Sequence, residues 1–184
     1  MNLPNSLTMA RLLAVPLVVW LIATGEHLAA FVTFVLAGAT DALDGALARA
    51  LDQRTRLGAC LDAVADKSLI AAIYVMLALT EHLPAALAAV VVLRDVLIVA
   101  AVLVTWLLGR PIPIQPSGIS KANTFVQIAF AALMLGARGF GWSAPGLEVA
   151  GAWLVGALTL WSAAAYLATF LRHNMVAGAR STDG

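Results

Sequence analysis

The chain has 184 residues, of which 62% are apolar and only 11% charged, against roughly 45–50% and 25% in an ordinary soluble domain. That balance excludes a water-soluble globule. The formal net charge of +1 argues neither for nor against nucleic acid, and no nucleic-acid partner is expected.

Apolar stretches of about 18 residues or more recur along the chain, each long enough to cross a hydrocarbon core as an α-helix. Six spans are predicted: Leu7 to Ala23, Ala29 to Ala48, Leu61 to Leu79, Pro84 to Leu108, Asn123 to Ala137 and Val149 to Leu171. The expected fold is all-α, a single polytopic membrane domain over residues 1–184. Span one is expected to be retained, because Pro4 and Asn5 and no basic leader precede its apolar run. Pro16 is expected to kink it, which membrane helices tolerate. Cys60 is the only cysteine, so no internal disulfide forms and no site of paired thiolates can be built.

The connections separate into two kinds. Gly25-Glu26-His27 and Glu81-His82 are short and acidic or neutral, so the helices that flank each should pack antiparallel. Arg49 to Gly58 and Gly109 to Ser120 are longer, and Pro111, Pro113 and Pro116 favour an extended path in the second. Placing the N-terminus in the cytoplasm puts Arg11, Arg49, Arg54, Arg56, Lys67, Arg110, Lys121, Arg172 and Arg180 at cytoplasmic ends and leaves Arg138 alone opposite. Both termini are therefore expected in the cytoplasm. The tail after His173 is short and polar and is expected to fray.

Where span two ends and span three begins, Asp41, Asp44, Asp62 and Asp66 bracket one polar connection. Helical residues three or four apart share a face, so Asp41 pairs with Asp44 and Asp62 with Asp66. The two pairs are expected to face each other across a helix-helix groove at the cytoplasmic boundary. Four like charges there need a cation, and an all-oxygen donor set selects Mg²⁺, Mn²⁺ or Ca²⁺ over zinc. One or two divalent ions are inferred, able to neutralise a diphosphate and hold attacking and leaving groups in line. Gly45 and Gly58 permit close approach of backbone, Ala48 keeps the same face shallow, and Arg49 lies within reach of a phosphate.

These residues fill every position of the pattern Asp-x2-Asp-Gly-x2-Ala-Arg-x8-Gly-x3-Asp-x3-Asp. In this the sequence resembles the CDP-alcohol phosphatidyltransferases, a family of six membrane helices, usually homodimeric, that carries the pattern across helices two and three. The resemblance implies phospholipid biosynthesis: transfer of a phosphatidyl group from CDP-diacylglycerol to a hydroxyl, with release of CMP. It implies that Asp41, Asp44, Asp62 and Asp66 hold Mg²⁺ or Mn²⁺, one or two ions, and that Asp66 is also the catalytic base. Gly45, Ala48, Arg49 and Gly58 would line the CDP site. It further implies a site at the cytoplasmic face of the cell inner membrane.

Further along, Arg94-Asp95 sits well inside span four, where an ionisable pair is expensive unless it faces a polar cavity or a partner. Lys121 at the mouth of span five either reaches the same cavity or snorkels to headgroups. By the resemblance, Arg94 and Lys121 are candidate acceptor contacts. Trp20, Trp106, Trp142, Trp153 and Trp161 read as interfacial anchors. His27, His82 and His173, at helix ends on different sides, read as surface residues.

The opening Leu3-Pro4-Asn5-Ser6-Leu7-Thr8-Met9-Ala10-Arg11 is similar to both phosphatidylglycerophosphate synthases and CMP-forming cardiolipin synthases. Two features separate them. The first group typically carries a further Arg two turns after Arg-Glu, whereas here an apolar run containing Ala101 follows Arg94-Asp95; and Ile119-Ser120-Lys121-Ala122-Asn123-Thr124 with Gln127 looks like the cardiolipin synthase pattern. A terminal phosphate with nearly two charges calls for a cluster of cations, and few are present. Phosphatidylglycerol is therefore the expected acceptor and cardiolipin the product, with glycerol 3-phosphate as the alternative. A more distant alternative is a small ion or proton-coupled transporter; against it, the aspartates cluster at one membrane face and no inverted repeat is evident.

Overall fold

A computed structural model describes the backbone of residues 3–50, 56–107 and 118–179, and the side chains of residues 9, 11–40, 67–100 and 118–168. It contains α1 (Leu3–Ala23), α2 (His27–Ala50), α3 (Arg56–Leu79), α4 (Ala85–Leu107), α5 (Gly118–Gly139) and α6 (Pro145–Ala179), with no strand among the described residues. The helices contain the predicted apolar spans almost entirely but run past them into polar sequence. A helix ends where its backbone groups find other partners, not where hydropathy drops. For the same reason α6 continues through His173 to Ala179, where fraying was expected, and α5 begins at Gly118, inside the segment expected to be extended.

Contacts close the helices into a ring in the order α1, α2, α5, α6, α4, α3, and α3 crosses it to touch α5. The core is apolar: Val18, Ile22, Ile73, Leu77, Met134, Leu135 and Val155 are fully buried. The outside is also apolar, with Leu13, Leu79, Leu93, Phe125 and Trp153 among the most exposed side chains. Arg94, Asn123, Gln127, Thr159 and Ser162, by contrast, are buried. Polar groups buried within an apolar core, beneath an apolar surface of this extent, suit lipid and not water. Two described stretches, Gly118–Gly139 and Pro145–Ala168, are long and apolar enough to cross a bilayer, and Arg11–Ala23, His27–Thr40 and Lys67–Leu79 are shorter apolar stretches. The fold is that of a membrane protein.

All three short connections lie at one end of the ring and are built alike. After α1, Glu26 N–H donates to the Leu21 carbonyl and Gly25 N–H to that of Ile22. His82 and Glu81 repeat the pattern onto Leu77 and Ala78, and Trp142 and Gly141 onto Ala137 and Arg138. Each is a Schellman closure, which needs a left-handed residue just past the helix. Gly25 and Gly141 supply it at φ 81° and 66°, but at the middle turn Glu81 is forced to φ 60°. Near the third turn, a Cβ on Gly139 would come within 2.7 Å of the Leu28 Cα, so α5 meets α2 there backbone to backbone.

His27 and His82, each read from the sequence as a surface residue, meet at this end with ring centroids 5.2 Å apart, edge to face. The two turns that carry them are neighbours in space, which chain order conceals. Arg138, expected alone on this side, donates to Glu148 at 3.2 Å. Burial first, then the charges of His82 and Arg138, hold the His27 imidazole below its ordinary pKa.

Replacing Glu81 with Gly removes the left-handed strain and should stabilise the purified protein by about 1 kcal/mol, read as a rise in Tm. The depressed His27 pKa means that the unfolded chain takes up the proton first. Stability from this group is complete above about pH 6.5 and declines as pH falls below it. His82, Arg138, Glu148 and Glu26 are the charged or titratable groups around it. In a Tm series from pH 8 to pH 5, His27→Gln should lose less stability on acidification than the parent.

Candidate active site

Opposite the tight turns, the C-terminal part of α2 and the N-terminal part of α3 come to the same end of the ring as the start of α5. Helical backbone runs through Asp41, Asp44, Gly45, Ala48 and Arg49 in α2, and through Gly58, Asp62 and Asp66 in α3. The helical spacing assumed for each aspartate pair is thus present in the backbone. The side chains of these eight residues lie outside the described residues. The chemistry of the donor set, four carboxylates on two consecutive helices, fits a hard divalent ion.

The described side chains begin one residue further on, at Lys67. Its Nζ donates to Asp95 Oδ1 at 2.9 Å. The same oxygen accepts from Arg94 Nη1 at 2.6 Å. Arg94 Nη2 donates to Ser120 Oγ at 2.7 Å and to Ser162 Oγ at 2.8 Å. One guanidinium therefore ties α4 to α5 and α6, while Asp95 ties α4 to α3. The Tyr166 ring lies 6.0 Å from the guanidinium carbon, within reach of a cation–π contact. With a side chain 2% exposed, Arg94 is one of the largest fully buried residues. An ion in this position survives because a carboxylate faces it and three of its five N–H donors are matched; Nε has no partner among the described residues.

A second polar chain lies deeper. Thr159 Oγ1 donates to Asn123 Oδ1 at 3.0 Å, Gln127 Nε2 to Thr159 Oγ1 at 3.2 Å, and the Tyr74 hydroxyl to the Gln127 carbonyl at 3.1 Å. Together these bonds link α3, α5 and α6 across the interior.

Beside the Arg94 cluster lies a cleft of about 460 Å³. It is lined by Lys67, Ser120, Lys121, Thr124 and Tyr166 together with the apolar Ile98, Phe125 and Ile128. Lys121, for which a cavity contact and a snorkelling role were both open, lines this cleft at the start of α5. Arg94 stands one layer behind, with Ser120 between it and the cleft. Lys67 and Tyr166 were not singled out from the sequence. Lys67 was counted as one of many boundary cations, and Ser162 and Tyr166 sit in an apolar helix; their only signal is the spacing of four that puts them on one face.

A profile of the CDP-alcohol phosphatidyltransferases matches residues 1–172. The chain belongs to that family. It is 35% identical over 158 aligned residues to the human protein named cardiolipin synthase (CMP-forming), covering 77% of this chain and 52% of that protein. It is 33% identical to a probable cardiolipin synthase (CMP-forming) of Drosophila melanogaster, over 95% of this chain and 58% of the relative. It is 36% identical to the Escherichia coli K12 CDP-diacylglycerol--glycerol-3-phosphate 3-phosphatidyltransferase, over 90% of this chain and 93% of that protein. The chain spans about half the length of the human relative it matches.

Arg94→Met keeps the bulk but removes the guanidinium bonds to Ser120 and Ser162 and weakens the hold on Asp95. Loss of one partner from a buried pair costs on the order of 3 kcal/mol. The variant should show a clearly lower Tm in detergent, and an unchanged Tm would contradict the role of Arg94 as the interior tie.

Proposed function

We propose that this chain is a single membrane domain that transfers the phosphatidyl group of CDP-diacylglycerol to the terminal glycerol hydroxyl of phosphatidylglycerol, forming cardiolipin and releasing CMP. The observation that carries the reading is the cleft beside the signature helices. Two lysines and several apolar side chains line it together, a lining suited to a singly charged phosphodiester joined to acyl chains.

In this reading Asp41, Asp44, Asp62 and Asp66 hold one or two Mg²⁺ or Mn²⁺ ions, and Gly45, Ala48, Arg49 and Gly58 line the CDP pocket. A bound ion supplies charge neutralisation for the diphosphate. Asp66 takes the proton of the acceptor hydroxyl. Its oxygen attacks the β-phosphorus, a new P–O bond forms, the bond from that phosphorus to the bridging oxygen breaks, and CMP leaves with the bonding electrons. Lys121 meets the acceptor directly, while Arg94, from behind Ser120, keeps the cleft wall in place. The six helices are six spans, with both termini and the signature end on the cytoplasmic side of the cell inner membrane, by the distribution of lysine and arginine. The working unit is a homodimer.

A second reading, the same chemistry with glycerol 3-phosphate as acceptor, draws support from the bacterial relative aligned along nearly its whole length. Against it, no second basic residue follows Arg94-Asp95 in α4, where an apolar run containing Ala101 stands instead.

Purified protein with labelled CDP-diacylglycerol, Mn²⁺ or Mg²⁺ and one acceptor at a time should give cardiolipin and CMP with phosphatidylglycerol. Product with glycerol 3-phosphate alone would reassign the acceptor. Asp66→Asn should reduce turnover by at least about a hundredfold while leaving the protein folded and able to bind CDP-diacylglycerol; near-normal turnover would remove Asp66 from its role as base.

A further inference from the structure

Lys67 is the one cation that belongs both to the interior cluster and to the cleft. Its side chain is 26% exposed, against 6% for Asp95 and 2% for Arg94. An ammonium has three donors, and Asp95 Oδ1 is the acceptor that the structure gives for Lys67. That acceptor is already engaged at 2.6 Å by a guanidinium, so one carboxylate answers two cations. Lys121, which also lines the cleft, makes no ion pair among the described residues. Two ammonium groups therefore line one cleft, and an anion bound there would answer them at low dielectric.

Lys67 is also aimed. Asp95 cannot swing away, because Arg94 grips it and is itself held by Ser120 on α5 and Ser162 on α6. A flexible four-carbon stem loses little more freedom on binding when its head is already fixed.

We propose that Lys67 is a specificity-determining contact of the acceptor site, which with Lys121 grips the acceptor's phosphate, and that Asp95 is the positioning residue that aims it. This rests on the cleft being the acceptor site. It gives Lys67 a part apart from that of its neighbour Asp66: Asp66 handles the proton, and Lys67 holds the phosphate.

The test is kinetic, on purified protein with Mn²⁺, comparing Lys67→Gln and Lys67→Arg with the parent. Loss of a charge-assisted hydrogen bond to phosphate should raise KM for phosphatidylglycerol about tenfold or more. KM for CDP-diacylglycerol and Tm should stay close to the parent's, and Lys67→Arg should recover most of the loss. Asp95→Asn should raise the same KM with a smaller effect on kcat. In a binding assay without turnover, vesicles containing phosphatidylglycerol should raise the parent's Tm more than phosphatidylcholine alone, and Lys67→Gln should lose that difference. An unchanged acceptor KM, an equal rise for both substrates, or a lowered Tm with intact kinetics would each overturn the proposal and leave Lys67 a structural ion pair. If the parent uses only glycerol 3-phosphate, the assigned acceptor fails but Lys67 does not. The variant's KM for glycerol 3-phosphate then decides, a rise supporting the contact and no change overturning it.

Discussion

The interior of this protein is organised around a guanidinium that has nowhere to go. Arg94 lies in the middle of an apolar helix, and at that depth an unmatched charge is among the most expensive things a bundle can contain. The fold answers with a carboxylate from the next residue and hydroxyls from two other helices. Because those partners sit on α5 and α6, satisfying Arg94 fixes three helices relative to one another. Because Asp95 also receives Lys67, α3 is drawn in as a fourth. The polar chain through Tyr74, Gln127, Thr159 and Asn123 repeats this cross-linking below. In a solvent that offers no hydrophobic drive between helices, such bonds and close packing supply the specificity.

The two ends of the ring do different work. At one, short closures and close glycine contacts hold helix pairs together with almost no loop. At the other lie the signature segments of α2 and α3, the first turn of α5 and the lysine-walled cleft. The signature residues fall beside the longer and more polar connections of the sequence, in keeping with the tendency of sites to sit near connecting segments on a fixed scaffold.

Much of this could be read from residue order. The helices follow from apolar run length, and the eight-position motif from Asp41 to Asp66 points to the family because its spacing matches helical geometry on both sides of one connection. For Lys121 the sequence left two readings open, a cavity contact or a snorkelling cation at the mouth of a span. What could not be read was pairing across the ring. Nothing local tells that Arg94 selects Ser120 and Ser162, that Lys67 shares Asp95, or that His27 touches His82, since each contact joins segments 26 or more residues apart. Arg11, assigned to the boundary by its charge, is 5% exposed. Hydropathy locates a cation along the membrane normal but does not say whether it faces lipid or protein.

The three matched Schellman turns carry one more consequence. With α1 to α2, α3 to α4 and α5 to α6 each stapled by backbone bonds at the same rim, the joining of one pair to the next falls to side chains. The Arg94 bonds to Ser120 and Ser162 act as the clasp between the second hairpin and the third, while the Lys67 bond to Asp95 closes the second on itself.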